Sequence, residues 1–448
     1  MPWLTDRRLL IAALAAWVAV AALGVALGPP LGHDEAAFAI TGLGEQPAGA
    51  WLYRSDGTVA LAWLGVALGG AEWQLRLPSA VLGTAIVVAA FAVGRAAFSA
   101  RTGAWAAALI AGAHPMAMRS AQLLSDLPAA ACILGGIAVL AAELDRPPGH
   151  DPGPRWRIVT AAPLFAAAFY LRYGSAPVIA LALAAAGVVW WRAVLARPVR
   201  ALATVAALAA LLIPHLVRSI QVTGTALGIL AVSAGMPRRA YVGEGLVTYL
   251  TSNPLAFYGA LIAPVMVAGV VGLVRARRRA PWYLGIVALG QIAALGLQSH
   301  GQPRYVFVAT VLLVVLGVDA VARVDRPRLA LAAVAITWLG VAVAVVWTCR
   351  VEQDARAPVV RAAQAIRADA GGRPCAVFAR LAPQLLWYAR CPIYLPGLLD
   401  GPMPADRVRY AASFTRWPID LAAMLARQHL RATPLASGDP DAQVWRLD

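Results

Sequence analysis

The sequence predicts an all-α polytopic membrane protein of about 11 transmembrane helices, with a small C-terminal α/β domain outside the membrane. Three observations carry this. Of 448 residues, 60% are hydrophobic and only 13% charged, and the mean hydropathy is +0.69, far too apolar for a soluble chain of this length. The apolar residues gather into runs of roughly membrane length separated by short loops. Arginines fall on every second loop, the bias of cytoplasmic connections.

The first run, from about Leu9 to Leu27, follows Arg7 and Arg8. A signal peptide is the alternative, but no clear cleavage site precedes Pro29-Pro30, and the run is long enough to stay as a spanning helix. The flanking arginines place the N-terminus in the cytoplasm, so His33-Asp34-Glu35 emerges on the opposite side. A first outer loop follows over 29–76. Its piece Val59 to Leu68 is too short to span and reads as an interfacial helix, with Trp51, Tyr53, Trp63 and Trp73 as interfacial aromatics.

The expected spans are approximately 9–28, 77–94, 103–118, 127–144, 158–171, 176–191, 201–217, 256–274, 283–298, 305–322 and 329–348. Basic loops lie near Arg95 and Arg101, near Arg146, Arg155 and Arg157, near Arg192, Arg197 and Arg200, at Arg275 to Arg279, and near Arg323, Arg326 and Arg328. Merging 158–171 with 176–191 across Arg172-Tyr173-Gly174 would put the Arg275–Arg279 cluster outside, against the charge bias.

An odd number of spans sends the C-terminus outside. The chain then divides into a membrane domain, 1–348, and an extracytoplasmic soluble domain, 349–448, of ordinary domain size. Cys375 to Ala379 alternates like a strand, Leu381 to Arg390 suits a helix, and Ile393 to Leu395 a second strand. Among the four cysteines, Cys132, Cys349, Cys375 and Cys391, no CxxC pair or Cys/His cluster occurs, which argues against structural zinc. Cys132 lies within an apolar run. In an oxidising compartment Cys375 and Cys391 can pair; the alternative is two buried thiols.

The net charge is +16, and all 38 basic residues are arginine, for which a GC-rich coding bias is the simplest reason. Each stays charged and can grip a phosphate bidentately. The arginines are spread between apolar runs rather than gathered into a patch with aromatics, which excludes nucleic acid as the partner.

Polar residues converge at the outer ends of the spans. Such an interface suits attack on a sugar attached to a lipid phosphate. Arginines would hold the phosphate and take up charge as it leaves. A carboxylate would take the proton from an acceptor hydroxyl. The catalytic candidates are Asp34, Glu35 and Asp126. The phosphate-binding candidates are Arg76, Arg172, Arg304, Tyr305 and Arg119. Each has a plainer reading: Asp34 and Glu35 as membrane-edge markers, Asp126 as a helix N-cap, and Arg76, Arg172 and Arg304 as snorkelling end residues. No cofactor is required. Two carboxylates and a histidine can hold a divalent metal, for which His33 is the weak candidate. His114, His215 and His300 are weaker still.

These residues also carry a family resemblance. His33-Asp34-Glu35-Ala36-Ala37-Phe38, Glu72 to Ala80, Arg119 to Ala130 with Ser125-Asp126-Leu127-Pro128, and Gln302-Pro303-Arg304-Tyr305-Val306 occur in the order found in GT-C fold membrane glycosyltransferases. Over about 1–348 the chain resembles the branch that holds dolichyl-phosphate-mannose protein mannosyltransferases and bacterial aminoarabinose-lipid A transferases. The resemblance implies a GT-C-like membrane domain and inverting transfer from a polyprenyl-phosphate sugar. It also implies Asp34 as base, Asp126 assisting, and arginines on the phosphate. Many relatives carry a Lys where this chain has Leu171-Arg172-Tyr173-Gly174, and Arg replaces its charge but not its shape. The loop Arg218–Pro254 shows no assignable motif, and the C-terminal domain is shorter than in several relatives.

The function expected is transfer of a sugar from a polyprenyl-phosphate donor to a glycan, lipid or protein acceptor on the outer face of a bacterial inner membrane. The alternatives are a lipid or lipid-linked sugar flippase and a non-catalytic envelope assembly protein. A flippase predicts inverted repeats and midplane binding groups. No repeat stands out, and the polar groups lie at one membrane edge.

Overall fold

The computed structural model describes residues 2–44, 54–145, 156–235, 239–321, 327–380, 382–394 and 403–448. Trp51, Tyr53, Arg146, Arg155, Arg238, Arg323, Arg326, Leu381 and Leu395 lie outside the described residues.

Seven helices among the described residues are long and apolar enough to cross a membrane. They are Asp6–Ala26, Glu72–Ala97, Asp126–Leu144, Pro198–Thr223, Arg279–Gln298, Pro303–Val321 and Arg328–Ala370. Four shorter apolar helices accompany them: Asp56–Ala67, Trp156–Leu171, Tyr173–Val189 and Ile262–Val274. The protein is a multi-pass, mostly helical membrane protein with a small C-terminal sheet.

Three expected spans differ from the helices observed. The run 103–118 is two helices, Ala100–Ile110 and His114–Ser120. Pro115, in the first turn of the second, begins a new helix where it could not continue the old one. The run 256–274 becomes a short Pro254–Phe257 turn followed by Ile262–Val274. The helix that holds the last run, 329–348, continues beyond it to Ala370. Hydropathy falls there, but helix-forming sequence does not. A Glu352–Arg356 pair of 2.6 Å supports the extension, and Gly371 and Gly372, at φ +57° and +80°, stop it.

The chain forms two compact units. The first comprises Met1–Ala26, Ala48–Leu61 and Arg76–Val345. Trp17, Phe165, Trp190 and Tyr283 are fully buried in its core. Other faces leave Leu202 and Leu339 each 69% exposed, apolar surface that a bilayer would cover.

The second unit comprises Leu27–Pro47, Ala62–Leu75 and Val346–Asp448. Its sheet has strands β1 (Cys375–Phe378), β2 (Ile393–Tyr394), β3 (Val408–Phe414), β4 (Ala432–Leu435) and β5 (Ala442–Leu447), in the order β2-β1-β3-β5-β4. β1 runs parallel to β2 and β3, with Val377 opposite Tyr410, and β5 is antiparallel to β3 and β4. Ile366, Leu385, Tyr410 and Val444 fill the core on one face, and Met403, Met424 and Leu447 that on the other. A disulfide joins Cys375 to Cys391 and closes the segment that holds the Ala382–Ala389 helix. Outside the sheet, the Gln74 side chain closes the turn after Ala67. Its Oε1 accepts from the Ala71 N–H (2.8 Å) and its Nε2 donates to the Leu68 carbonyl (2.6 Å). Gly69 takes φ +127° there, where an added Cβ would stand 2.6 Å from the Gln74 amide.

Candidate functional site

In the first unit the site forms where three chain ends meet. The Trp156–Leu171 helical segment stops because Arg172 is extended, at φ −156° and ψ 111°. Its last carbonyl, on Leu171, would lack a helical partner. Three hydroxyls supply one: Ser55 at 2.6 Å, Thr58 at 2.8 Å and Ser125 at 2.5 Å. This brings the starts of the Asp56–Ala67 and Asp126–Leu144 helices onto the end of the third. Gly57 permits the approach, since a Cβ there would lie 2.8 Å from the Tyr170 carbonyl oxygen and 2.9 Å from the Leu171 Cα.

Arg172 and Asp126 are thereby brought together, and they form an ion pair. Asp126 is 6% exposed. It is the first residue of its helix, with Ser125 at the N-cap position, so the N-cap reading of Asp126 is corrected. The Ser125 hydroxyl is directed to Leu171 rather than to its own helix, which leaves the Asp126 carboxylate to the guanidinium.

Arg172 also faces Tyr305, with its guanidinium carbon 5.2 Å from the ring centroid. Arg304 approaches the same ring at 5.6 Å. Both lie within cation–π range. The Gln302 Oε1 accepts from Arg304 Nε at 2.6 Å, and its amide nitrogen lies 2.7 Å from His300 Nε2. Gln291, on the Arg279–Gln298 helix, anchors this segment. It donates to the Tyr305 carbonyl (2.8 Å) and accepts from the Ala309 N–H (2.7 Å). Two cations, a phenol and one carboxylate are therefore gathered, an arrangement able to hold an oxyanion.

The other expected residues of this unit are placed as follows. Arg76 is 1% exposed in the Glu72–Gly83 helix. Arg119 donates to Gln122 Oε1 at 2.6 Å. His215 is buried among Phe169 and Tyr173, each with its ring centroid 4.7 Å away, and neither ring nitrogen has a hydrogen-bond partner among the described residues. An Asp56–Arg218 ion pair is present, to which no role follows from the sequence.

In the second unit the adjacent acids part ways. The helix His33–Gly42 has Gly32 as its N-cap. The Glu35 carboxylate turns back to accept from the Gly32 N–H at 3.0 Å, and it lies 3.6 Å from Arg356 Nη1. It is 3% exposed and serves its own helix end. The Asp34 side chain is 36% exposed, with His33 Nδ1 3.4 Å from its Oδ1. Asp34 is thus the more exposed acid of the pair. Among the described residues, no three His, Cys, Asp or Glu side chains gather into a metal-binding group.

Sequence reasoning missed the hydroxyls of Ser55, Thr58 and Ser125, together with Arg356 and Tyr388, which are described below. The hydroxyls act on a carbonyl far away in sequence and leave no local pattern. Arg356 had a legible signal in its i,i+4 spacing from Glu352.

The chain is a multi-pass membrane protein with the GT-C fold. The sequence model of dolichyl-phosphate-mannose-protein mannosyltransferases matches residues 57–232. ArnT from Cupriavidus metallidurans, solved in the apo state and bound to undecaprenyl phosphate, is similar over 99% of this chain and 98% of its own. The TM-score is 0.72 and the identity 16% in both states. The Archaeoglobus fulgidus oligosaccharyltransferase in its apo form is similar at TM-score 0.55 and 13% identity, over 90% of this chain and 69% of that one. No curated protein sequence matches the chain.

Proposed function

We propose that the protein is a glycosyltransferase that moves a sugar from a polyprenyl phosphate to an acceptor on the outer face of a bacterial inner membrane. The observation that carries this is the Arg172–Tyr305–Arg304 cluster, in a chain whose fold follows that of ArnT, a protein solved with undecaprenyl phosphate. In this reading the N-terminus is cytoplasmic and 349–448 lie outside.

Asp34 takes the proton from an acceptor hydroxyl as its oxygen attacks the anomeric carbon. The new carbon–oxygen bond forms with inversion while the bond to phosphate breaks, and polyprenyl monophosphate leaves. Arg172 and Arg304, with the Tyr305 hydroxyl, take up the charge that develops on the phosphate. Arg76 and Arg119 complete the donor side. Asp126 holds the Arg172 guanidinium in orientation. Glu35 shapes the helix end that presents Asp34, and His33 is its hydrogen-bonding neighbour. A monophosphate leaving group held by guanidinium groups requires no metal.

The test is transfer in vitro from a panel of undecaprenyl-phosphate sugars by the wild type and Asp34→Asn. Transfer by the wild type and its loss in Asp34→Asn are expected. An Asp34→Asn protein with full activity sinks the base assignment, and a wild type inactive with every donor sinks the reading.

A further inference from the structure

Two proline residues precede the helix that presents Asp34. Pro29 and Pro30 have fixed φ angles, so the entry of the chain into that helix depends on how the next peptide unit is turned. That unit, Pro30–Leu31, is gripped at both ends. Its carbonyl accepts from Arg356 Nη1 at 2.6 Å. Its N–H donates to the Tyr388 hydroxyl at 2.5 Å. The Leu31 side chain is fully buried.

Both gripping groups are themselves fixed. The Tyr388 hydroxyl donates to Glu72 Oε1 at 2.7 Å. Arg356 Nη2 donates to Glu352 at 2.6 Å, and its Nη1 also faces Glu35. Gly32 leaves room for this guanidinium, whose carbon stands 3.4 Å from where a Cβ would be. The next bonds continue the pattern, from the Gly32 N–H to Glu35 and from the Ala36 N–H to the Gly32 carbonyl. From Pro30 to Ala36 the backbone is therefore held in one arrangement, and the Asp34 side chain projects from it partly exposed.

We infer that Tyr388 and Arg356 are positioning residues for Asp34, so that the C-terminal region takes part in catalysis by fixing where the base stands. This rests on the reading of Asp34 as the base. Rotating the Pro30–Leu31 peptide tilts the first helical turn and moves the Asp34 carboxylate. Displacements of about 1 Å in a reacting group can cost on the order of a hundredfold in rate. A contact that only fastened the fold would change stability and leave turnover per folded molecule as it was.

The experiment uses the full chain in nanodiscs, with the undecaprenyl-phosphate sugar that the wild type accepts. Tyr388→Phe keeps the ring and removes only the hydroxyl. Its kcat is expected to fall about tenfold or more while the donor KM stays within about twofold. Arg356→Met behaves likewise, and Arg356→Lys recovers part of the loss, since one ammonium cannot reproduce the forked contacts. Amide exchange at Leu31 in Tyr388→Phe is expected to quicken about fivefold. Unchanged kcat in Tyr388→Phe and Arg356→Met overturns the inference, as does a loss confined to KM. If Asp34→Asn abolishes transfer while Tyr388→Phe leaves kcat unchanged, positioning alone fails. If Asp34→Asn retains transfer, or the wild type transfers nothing, the base reading fails and the inference falls with it. Exchange at Leu31 that stays at the wild-type rate overturns the clamp itself.

Discussion

Arg172 touches Asp126 and Tyr305 at once: one guanidinium is paired with the carboxylate and stands 5.2 Å from the centre of the aromatic ring. A planar, forked cation suits both contacts at once better than an ammonium on a flexible stem.

Arg172→Lys is therefore expected to keep the charge near Asp126 and weaken the cation–π approach to Tyr305. The donor KM should rise roughly tenfold, with a smaller change in kcat. Asp126→Asn removes the partner and leaves the guanidinium uncompensated. Its cost should be about 2 kcal/mol, less than for a fully buried pair because the Arg172 side chain is 26% exposed. Steady-state transfer assays and chemical unfolding in detergent measure the two effects.

The adjacent acids Asp34 and Glu35 should separate under substitution. Asp34→Asn is expected to lower kcat by about a thousandfold, the contribution of a well-placed general base. Glu35→Gln keeps a side chain that can accept from the Gly32 N–H and loses only the charge facing Arg356. Its kcat should fall less than about tenfold. Equal losses in the two variants would end the division of roles.

In the first unit, Asp126, Arg172, Arg304 and Tyr305, which stand in short motifs of the sequence, are gathered together. His33-Asp34-Glu35, Ser125-Asp126 and Arg304-Tyr305 are each local patterns, visible without knowledge of any distant contact. What was not legible depends on contacts between distant segments. Nothing local marks the Leu171 carbonyl as the acceptor for Ser55, Thr58 and Ser125. Nothing marks Tyr388 as the partner of Leu31, because a single hydroxyl has no periodicity. Hydropathy also says nothing of how far the last long helix extends, since it reports where apolar sequence stops and not where a helix does. Residues 350–370 are polar enough to leave a bilayer and still helical.

Removing the Cys375–Cys391 bridge should loosen the C-terminal sheet. A cross-link between residues 16 apart in sequence contributes about 3 kcal/mol. The double variant Cys375→Ser/Cys391→Ser is expected to unfold at lower denaturant in the full chain. An unchanged midpoint would show that the packing of Leu385 and Ile393 suffices without it.

Alkaline conditions should reveal Tyr410. The side chain is fully buried and donates to Asp369 Oδ2 at 2.7 Å. Burial, then the hydrogen bond to Asp369 and its negative charge, raises the phenol above its ordinary value. The folded protein thus retains a proton that the unfolded chain releases. The stability this represents is complete below the ordinary tyrosine value of about 10 and declines as pH rises beyond it. Tyr410→Phe should flatten that decline in thermal unfolding scans from about pH 8 to about pH 11.

The capping bond of Glu35 gives the order of the two acids a meaning that their charge does not have. Asp34→Glu/Glu35→Asp leaves composition and net charge unaltered. It places the shorter side chain at the position that must reach back to the Gly32 N–H, and the longer one at the position proposed for the base. One methylene is then missing from the cap and one is added to the more exposed carboxylate. A substitution that looks silent by every measure of charge or hydropathy would thus strike structure and chemistry together.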